Sequence, residues 1–106
     1  MSNVMERIKS EIEGSKVVVF MKGTPEAPRC GFSAATVQVL SGFPYPFKGV
    51  DVLSDSEIRE TLPSYSNWPT FPQVFIDGQL VGGCDIIHEL KASGELAGLL
   101  EKAFKK

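Results

Sequence analysis

The run Val17-Val18-Val19-Phe20-Met21 constrains this fold more than any other part of the chain. β-Branched residues favour strand, and apolar side chains at both odd and even positions leave neither face suited to water. Such a strand lies in the middle of a sheet and needs a covering layer on each side.

The flanking segments supply those layers. Val4, Ile8 and Ile12, with Met5, recur at helical spacing; Ser2 or Asn3 is placed to cap the start, and Gly14 ends the run. Gly23 to Arg29 carries Pro25 and Pro28 and reads as a loop, followed by a helix from Ser33 to Leu40 that stops near Gly42. Phe47 to Val52 reads as a second strand. Ser54-Asp55-Ser56-Glu57 then caps a helix through Ile58 and Arg59 toward Leu62, which Pro63 is expected to end early. Asp77-Gly78 separates Gln73–Ile76 from Gln79–Val81 as a tight antiparallel hairpin. Asp85 to Ala92 and Glu95 to Phe104 close the chain as helices parted by Gly94. A parallel βαβ unit followed by a hairpin and terminal helices predicts an α/β, thioredoxin-like fold. Its central, mixed four-stranded sheet is flanked by helices, in a single domain spanning 1–106.

Several function classes are disfavoured. A formal net charge of -2 and the absence of a lysine run argue against nucleic acid. Apolar stretches far below the ~20 residues of a bilayer span argue against a membrane helix. Met1 to Ile12 interleaves charged with apolar residues, unlike a secretory leader, so the expected location is cytoplasmic. Two cysteines, Cys30 and Cys84, do not make a disulfide framework and are expected to serve chemistry.

Cys30-Gly31-Phe32-Ser33 lies between a proline-bearing loop and a helix, where unsatisfied N–H groups and the helix dipole favour thiolate over thiol. Lys22 and Arg29 are close enough in sequence to assist. Dithiol oxidoreductases place a second cysteine one helical turn after the first; here that position is Ser33, so thiol exchange must finish with an outside thiol. A merely structural Cys30 is the weaker reading, because a glycine-flanked cysteine at a loop-to-helix junction is a poor core position.

Met21 to Ser33, MKGTPEAPRCGFS, and Trp68 to Ile86, WPTFPQVFIDGQLVGGCDI, together with the element order, resemble a monothiol CGFS-type glutaredoxin over nearly the whole chain. The resemblance implies glutathione binding and a 2Fe-2S cluster bridged between two protomers, each giving one cysteine and one glutathione. It implies a homodimer with the cluster and a monomer without it. By the same resemblance Cys30 is the reactive thiol and iron ligand, and Lys22 and Arg59 hold glutathione carboxylates; as bare residues, both would read as solvated surface charges. Thr70-Phe71-Pro72 resembles the loop in which a cis proline faces the cysteine and leaves the Phe71 backbone free for the glutathione peptide; a trans Pro72 opening a strand is the alternative. Gly83, Cys84 and Asp85 resemble the segment that receives the γ-glutamyl end. Exposed N–H groups suit a carboxylate and Asp85 suits an ammonium, or Asp85 acts as a helix cap alone. Cys84 reads first as a glutathione neighbour, then as core, then as a disulfide partner of Cys30. Trp68 reads as packing and His88 as a half-exposed helix residue.

Two functions follow. The first is an iron-sulfur carrier acting in cluster transfer or assembly and iron homeostasis, compatible with a BolA-like partner and with iron-sulfur acceptor proteins. The second is glutathione-dependent thiol-disulfide exchange at Cys30, which the resemblance implies to be weak.

Overall fold

The computed structural model describes residues 3–105. Its elements are α1 (Val4–Gly14), β1 (Val17–Met21), α2 (Gly31–Ser41), β2 (Lys48–Asp51), α3 (Ser56–Ser66), β3 (Gln73–Ile76), β4 (Gln79–Gly82), α4 (Cys84–Ser93) and α5 (Glu95–Phe104). The strands form one sheet in the order β2-β1-β3-β4, with β1 parallel to β2 and antiparallel to β3. This is the thioredoxin-like arrangement expected from the sequence.

All five residues of β1 are buried, and their parity divides the interior into two cores. Val17, Val19 and Met21 pack with Val74, Ile76 and residues of α2, α4 and α5 on one side. Val18 and Phe20 meet Phe75 and residues of α1 and α3 on the other. Phe20 and Phe75 pack edge to face with ring centroids 5.5 Å apart, a geometry worth about 0.5–1.5 kcal/mol beyond its area. A strand this apolar is therefore satisfied only when both helical layers are in place.

Local signals are met as well. Asn3 caps α1 by accepting the Met5 N–H at 2.9 Å; Ser2, the other expected cap, lies outside the described residues. Asp77 and Gly78 take φ values of 52° and 83°, the left-handed pair that a tight hairpin requires. β2 is shorter than read, with Phe47 and Val52 falling just outside it.

Pro63 does not end α3, which continues to Ser66 and stops at the left-handed Asn67. A proline forfeits one N–H bond but keeps its carbonyl, and here that carbonyl accepts from both Asn67 N and Trp68 N. Buried Leu62 anchors this last turn, and the Ser66 hydroxyl donates to the Leu62 carbonyl at 3.0 Å.

Strand direction brings distant segments together. In the β1–β3 register Phe20 lies opposite Gln73, and in β3–β4 Val74 lies opposite Gly82. The end of β1, the start of β3 and the end of β4 therefore meet at one end of the sheet.

Candidate functional site

A cleft of about 750 Å³ opens at that end. Lys22 enters it directly after β1, Cys30 and Phe32 from the start of α2, and Arg59 and Pro63 from α3. The Trp68–Pro72 loop forms a second wall, and Gly83 to Ile86, opening α4, forms a third. The residues expected to hold glutathione or iron all border this one cleft: Lys22, Cys30, Arg59, Thr70, Phe71, Pro72, Gly83, Cys84 and Asp85.

Lys22 is fixed by its backbone. Its carbonyl accepts the Arg29 N–H at 2.9 Å, and the following Gly23 donates its N–H to Asp51 Oδ1 at 3.0 Å. Gly23 has φ 92°, and a Cβ there would stand 2.6 Å from the Ala27 carbonyl oxygen and the Arg29 nitrogen. Glycine is thus what lets the loop between β1 and α2 fold back on itself.

The α2 helix begins at Gly31 rather than Ser33, which makes half-buried Cys30 its N-cap residue. The backbone N–H of Ser33 chiefly holds the thiol below its ordinary pKa. The Phe32 N–H, the Lys22 charge and the Ser33 hydroxyl add to this against the opposing effect of burial. Although the sulfur closes no capping hydrogen bond, the dipoles around it favour the anion. Lys22 is the cation that acts; Arg29, expected to assist, is exposed and contributes its backbone to the loop instead. Ser33 is fully buried and has a second task, since its Oγ accepts the Lys22 N–H at 3.1 Å. That bond ties the end of β1 to the first turn of α2.

Pro72 follows a cis peptide bond, the isomer expected from the resemblance. Buried Gln73 secures the preceding loop by donating from Nε2 to the carbonyls of Trp68, at 2.9 Å, and Thr70, at 3.2 Å. Among the described residues the Phe71 backbone takes no partner, leaving its edge open to the cleft. On the facing wall Gly83 provides no side-chain cap for α4, so the first N–H groups of that helix stay available beside exposed Asp85. A Cβ on Gly83 would lie 3.1 Å from the Pro72 carbonyl oxygen and 3.3 Å from Trp68 Nε1. Glycine here lets the α4 N-terminus press against the cis-proline loop.

Cys30 and Cys84 are both free thiols. Cys84 is half-buried on the cleft wall, which removes its reading as core. Its Sγ lies 3.5 Å from Nδ1 of exposed His88, and the same Nδ1 lies 2.8 Å from the Cys84 carbonyl oxygen. Trp68, read as packing, is part of the cleft wall, and Phe32 stands 64% exposed beside the thiol. Neither has a periodicity that marks it out; their only signal is membership of the motifs that hold Cys30 and Pro72.

The sequence pattern of the glutaredoxin family matches residues 17–81, from β1 to the hairpin. The chain belongs to the glutaredoxin family. Glutaredoxin 4 of Buchnera aphidicola from Acyrthosiphon pisum is 50% identical over 104 residues, covering 98% of this chain and 96% of that protein. Monothiol glutaredoxin-S11 of rice is 50% identical over 97 residues, covering 92% of this chain and 20% of that longer protein. The solution structure of reduced apo GrxS14 of poplar superposes with a TM-score of 0.86 at 45% identity, covering 97% of this chain and 94% of that one. With Cys30 followed by Ser33 at the second thiol position, this glutaredoxin is of the monothiol type.

Proposed function

We propose that the cleft binds glutathione and that Cys30, together with that glutathione, ligates a 2Fe-2S cluster shared by two copies of the chain for delivery to acceptor proteins. The observation that carries this reading is the meeting of an anion-favouring thiol with the complements of a thiol peptide that bears two carboxylates and one ammonium. Lys22 and Arg59 suit its carboxylates. The open Phe71 edge suits its peptide bonds, and the α4 N-terminus with Asp85 suits an amino-acid head group.

Stoichiometry supports the shared cluster. A 2Fe-2S cluster takes four sulfur ligands, and thiolate is the soft ligand it prefers. No group of three or more His, Cys, Asp or Glu among the described residues is arranged to hold a metal. On this reading Cys30 of each of two protomers supplies one ligand, and two glutathione thiols supply the others. The chain's own part is to keep Cys30 anionic, hold glutathione beside it and leave the cleft open to the second copy. An adaptor role toward a BolA-like protein, and a cytoplasmic location, are compatible with this reading.

Anaerobic reconstitution with iron, sulfide and glutathione tests it. The expected product is a coloured dimer that requires glutathione, is abolished by Cys30→Ser and survives Cys84→Ser. A colourless monomer that efficiently reduces glutathione mixed disulfides would overturn the carrier reading. It would install the second one, in which Cys30 attacks the mixed disulfide and free glutathione resolves the product. The lowered thiol pKa and the absence of a second thiol at Ser33 favour that chemistry as the alternative.

A further inference from the structure

Asp51 ends the edge strand β2, on the opposite side of β1 from β3, and is not part of the cleft wall. It nevertheless holds the peptide unit from which Lys22 enters the cleft. The Lys22 carbonyl accepts the Arg29 N–H at 2.9 Å, while the Gly23 N–H of the same peptide plane donates to Asp51 Oδ1 at 3.0 Å. Bonds on opposite edges of one planar unit fix its rotation. The Lys22 N–H is bonded to Ser33 Oγ at 3.1 Å, so both peptide units that flank the Lys22 Cα are held, and with them the direction of its side chain. The carboxylate is oriented independently of Gly23, since the same Oδ1 accepts the Leu53 N–H, two residues on, at 2.9 Å. Two residues earlier, on the same face of β2, Gly49 receives Pro25: a Cβ on Gly49 would stand 2.5 Å from Pro25 Cγ. The loop that leads to Cys30 is thus fastened to one face of β2 at two successive positions.

We propose that Asp51 is a positioning residue for Lys22: by holding the Gly23 N–H it aims the Lys22 ammonium at the Cys30 sulfur and at a carboxylate of the bound ligand. The ligand half of this statement rests on the glutathione reading given above; the half that concerns Cys30 does not. Gly23 is buried, so its N–H has no water to turn to once the carboxylate is gone, and the peptide unit must rotate to find another partner. That rotation carries Lys22 off its aim. Direct charge is not the route. The Lys22 ammonium is among the groups that lower the Cys30 pKa, and the Asp51 carboxylate is not among those that shift it. What the geometry needs at position 51 is an acceptor oxygen, with or without its negative charge.

The test compares the rates at which iodoacetate, an anion, and iodoacetamide, its neutral analogue, alkylate Cys30 in the full chain, followed by peptide mass spectrometry. The ratio of the two rates reads positive charge beside the sulfur and cancels the thiolate fraction. Lys22→Gln is expected to lower the ratio about threefold at low ionic strength, the order of effect of one unit charge a few ångströms away in water. Asp51→Ala is expected to give most of that fall and to add nothing in the Lys22→Gln background. Asp51→Asn keeps an acceptor oxygen and is expected to leave the ratio at or above that of the wild type. Loss of a carboxylate acting by charge alone would raise the ratio, so the direction of the change separates the two routes. A ratio unchanged or raised in Asp51→Ala overturns the proposal, as does a fall that persists without Lys22 or that Asp51→Asn shares. If circular dichroism shows that Asp51→Ala does not fold, Asp51→Glu takes its place, keeping the charge while displacing the acceptor by one methylene; equal ratios for Asp51→Glu and Asp51→Asn then overturn the proposal. Calorimetry of glutathione with the same proteins separates this proposal from the reading of the cleft. If the wild type binds no glutathione while the ratio still follows Asp51, the aim of Lys22 at Cys30 stands and the ligand half falls with the glutathione reading. If Asp51→Ala binds glutathione as the wild type does and keeps its ratio, the glutathione reading stands and the proposal falls.

Discussion

Ser33 shows how one side chain can serve the scaffold and the chemistry in unequal measure. Its hydroxyl accepts the Lys22 N–H, while its own backbone N–H is the largest influence lowering the Cys30 pKa and its hydroxyl the smallest. Ser33→Ala keeps the backbone donor and loses the hydroxyl. The variant is expected to be destabilised by about 1–3 kcal/mol, because a part-buried N–H at Lys22 loses its partner. Its Cys30 alkylation midpoint is expected to move upward only slightly. Urea unfolding and iodoacetamide rates against pH read the two effects separately; a large rise in the midpoint with no loss of stability would reverse the assignment. Lys22→Gln is likewise expected to raise the Cys30 midpoint modestly, because the Lys22 charge acts less than either backbone N–H, and to weaken glutathione binding without loss of stability, since the Ser33 bond to the Lys22 backbone stays intact. At this scale the sequence was informative about Cys30, whose flanking glycine and proline-bearing loop announce a helix entrance. It was silent about Gln73, because a glutamine at a strand start carries no sign that its amide will hold a loop five residues long.

At the scale of elements, α3 is where local rules and tertiary context part company. Pro63 breaks the helical bonding pattern, and reading it as a terminus follows the propensity of an isolated helix. The burial of Leu62 and the bonds accepted by the Pro63 carbonyl carry the helix past it. Pro63→Ala restores a donor for the Arg59 carbonyl and is expected to raise stability by about 1–2 kcal/mol, the helix gain exceeding the added entropy of the unfolded chain. A fall in the urea midpoint would mean that the ring's packing on the cleft outweighs the bond. The other end of α3 is pinned by Asp55, whose carboxylate accepts from Arg7 at 2.6 Å and from the Ile58 N–H at 3.2 Å. The Arg7 bond, then the Ile58 N–H, lowers the Asp55 pKa below its ordinary 3.8. Because the folded value is the lower one, this stabilisation is complete above the ordinary value and disappears as pH falls through the depressed one. Wild type and Asp55→Asn should therefore differ in thermal midpoint at neutral pH and converge in acid. A gap that stays constant with pH would show that the carboxylate's charge plays no part.

Considered as a whole molecule, the fold makes the cleft depend on both layers at once. The alternation of β1 side chains between two cores was legible from five apolar letters, since no other environment suits both parities. The convergence of Lys22, Pro72 and Gly83 was not, because it comes from strand order and register rather than from any local pattern. The cleft draws Cys30 from α2, which packs in one core, and Arg59 from α3, which packs in the other. Neither layer can loosen without dismantling it. Leu62→Ala and Leu100→Ala remove fully or nearly fully buried side chains from opposite cores, and each is expected to cost about 2–5 kcal/mol. Lying on opposite faces of the sheet, the two substitutions should be additive to within about 0.5 kcal/mol. If β1 makes the cores one cooperative unit, each variant unfolds in a single calorimetric transition. Cys30 then loses its distinctive alkylation behaviour at the same midpoint as far-ultraviolet circular dichroism, whichever core was weakened. Separate midpoints, with Cys30 responding to Leu100→Ala but not to Leu62→Ala, would instead mean that the α2 layer alone maintains the thiol and that α3 is a detachable wall of the cleft.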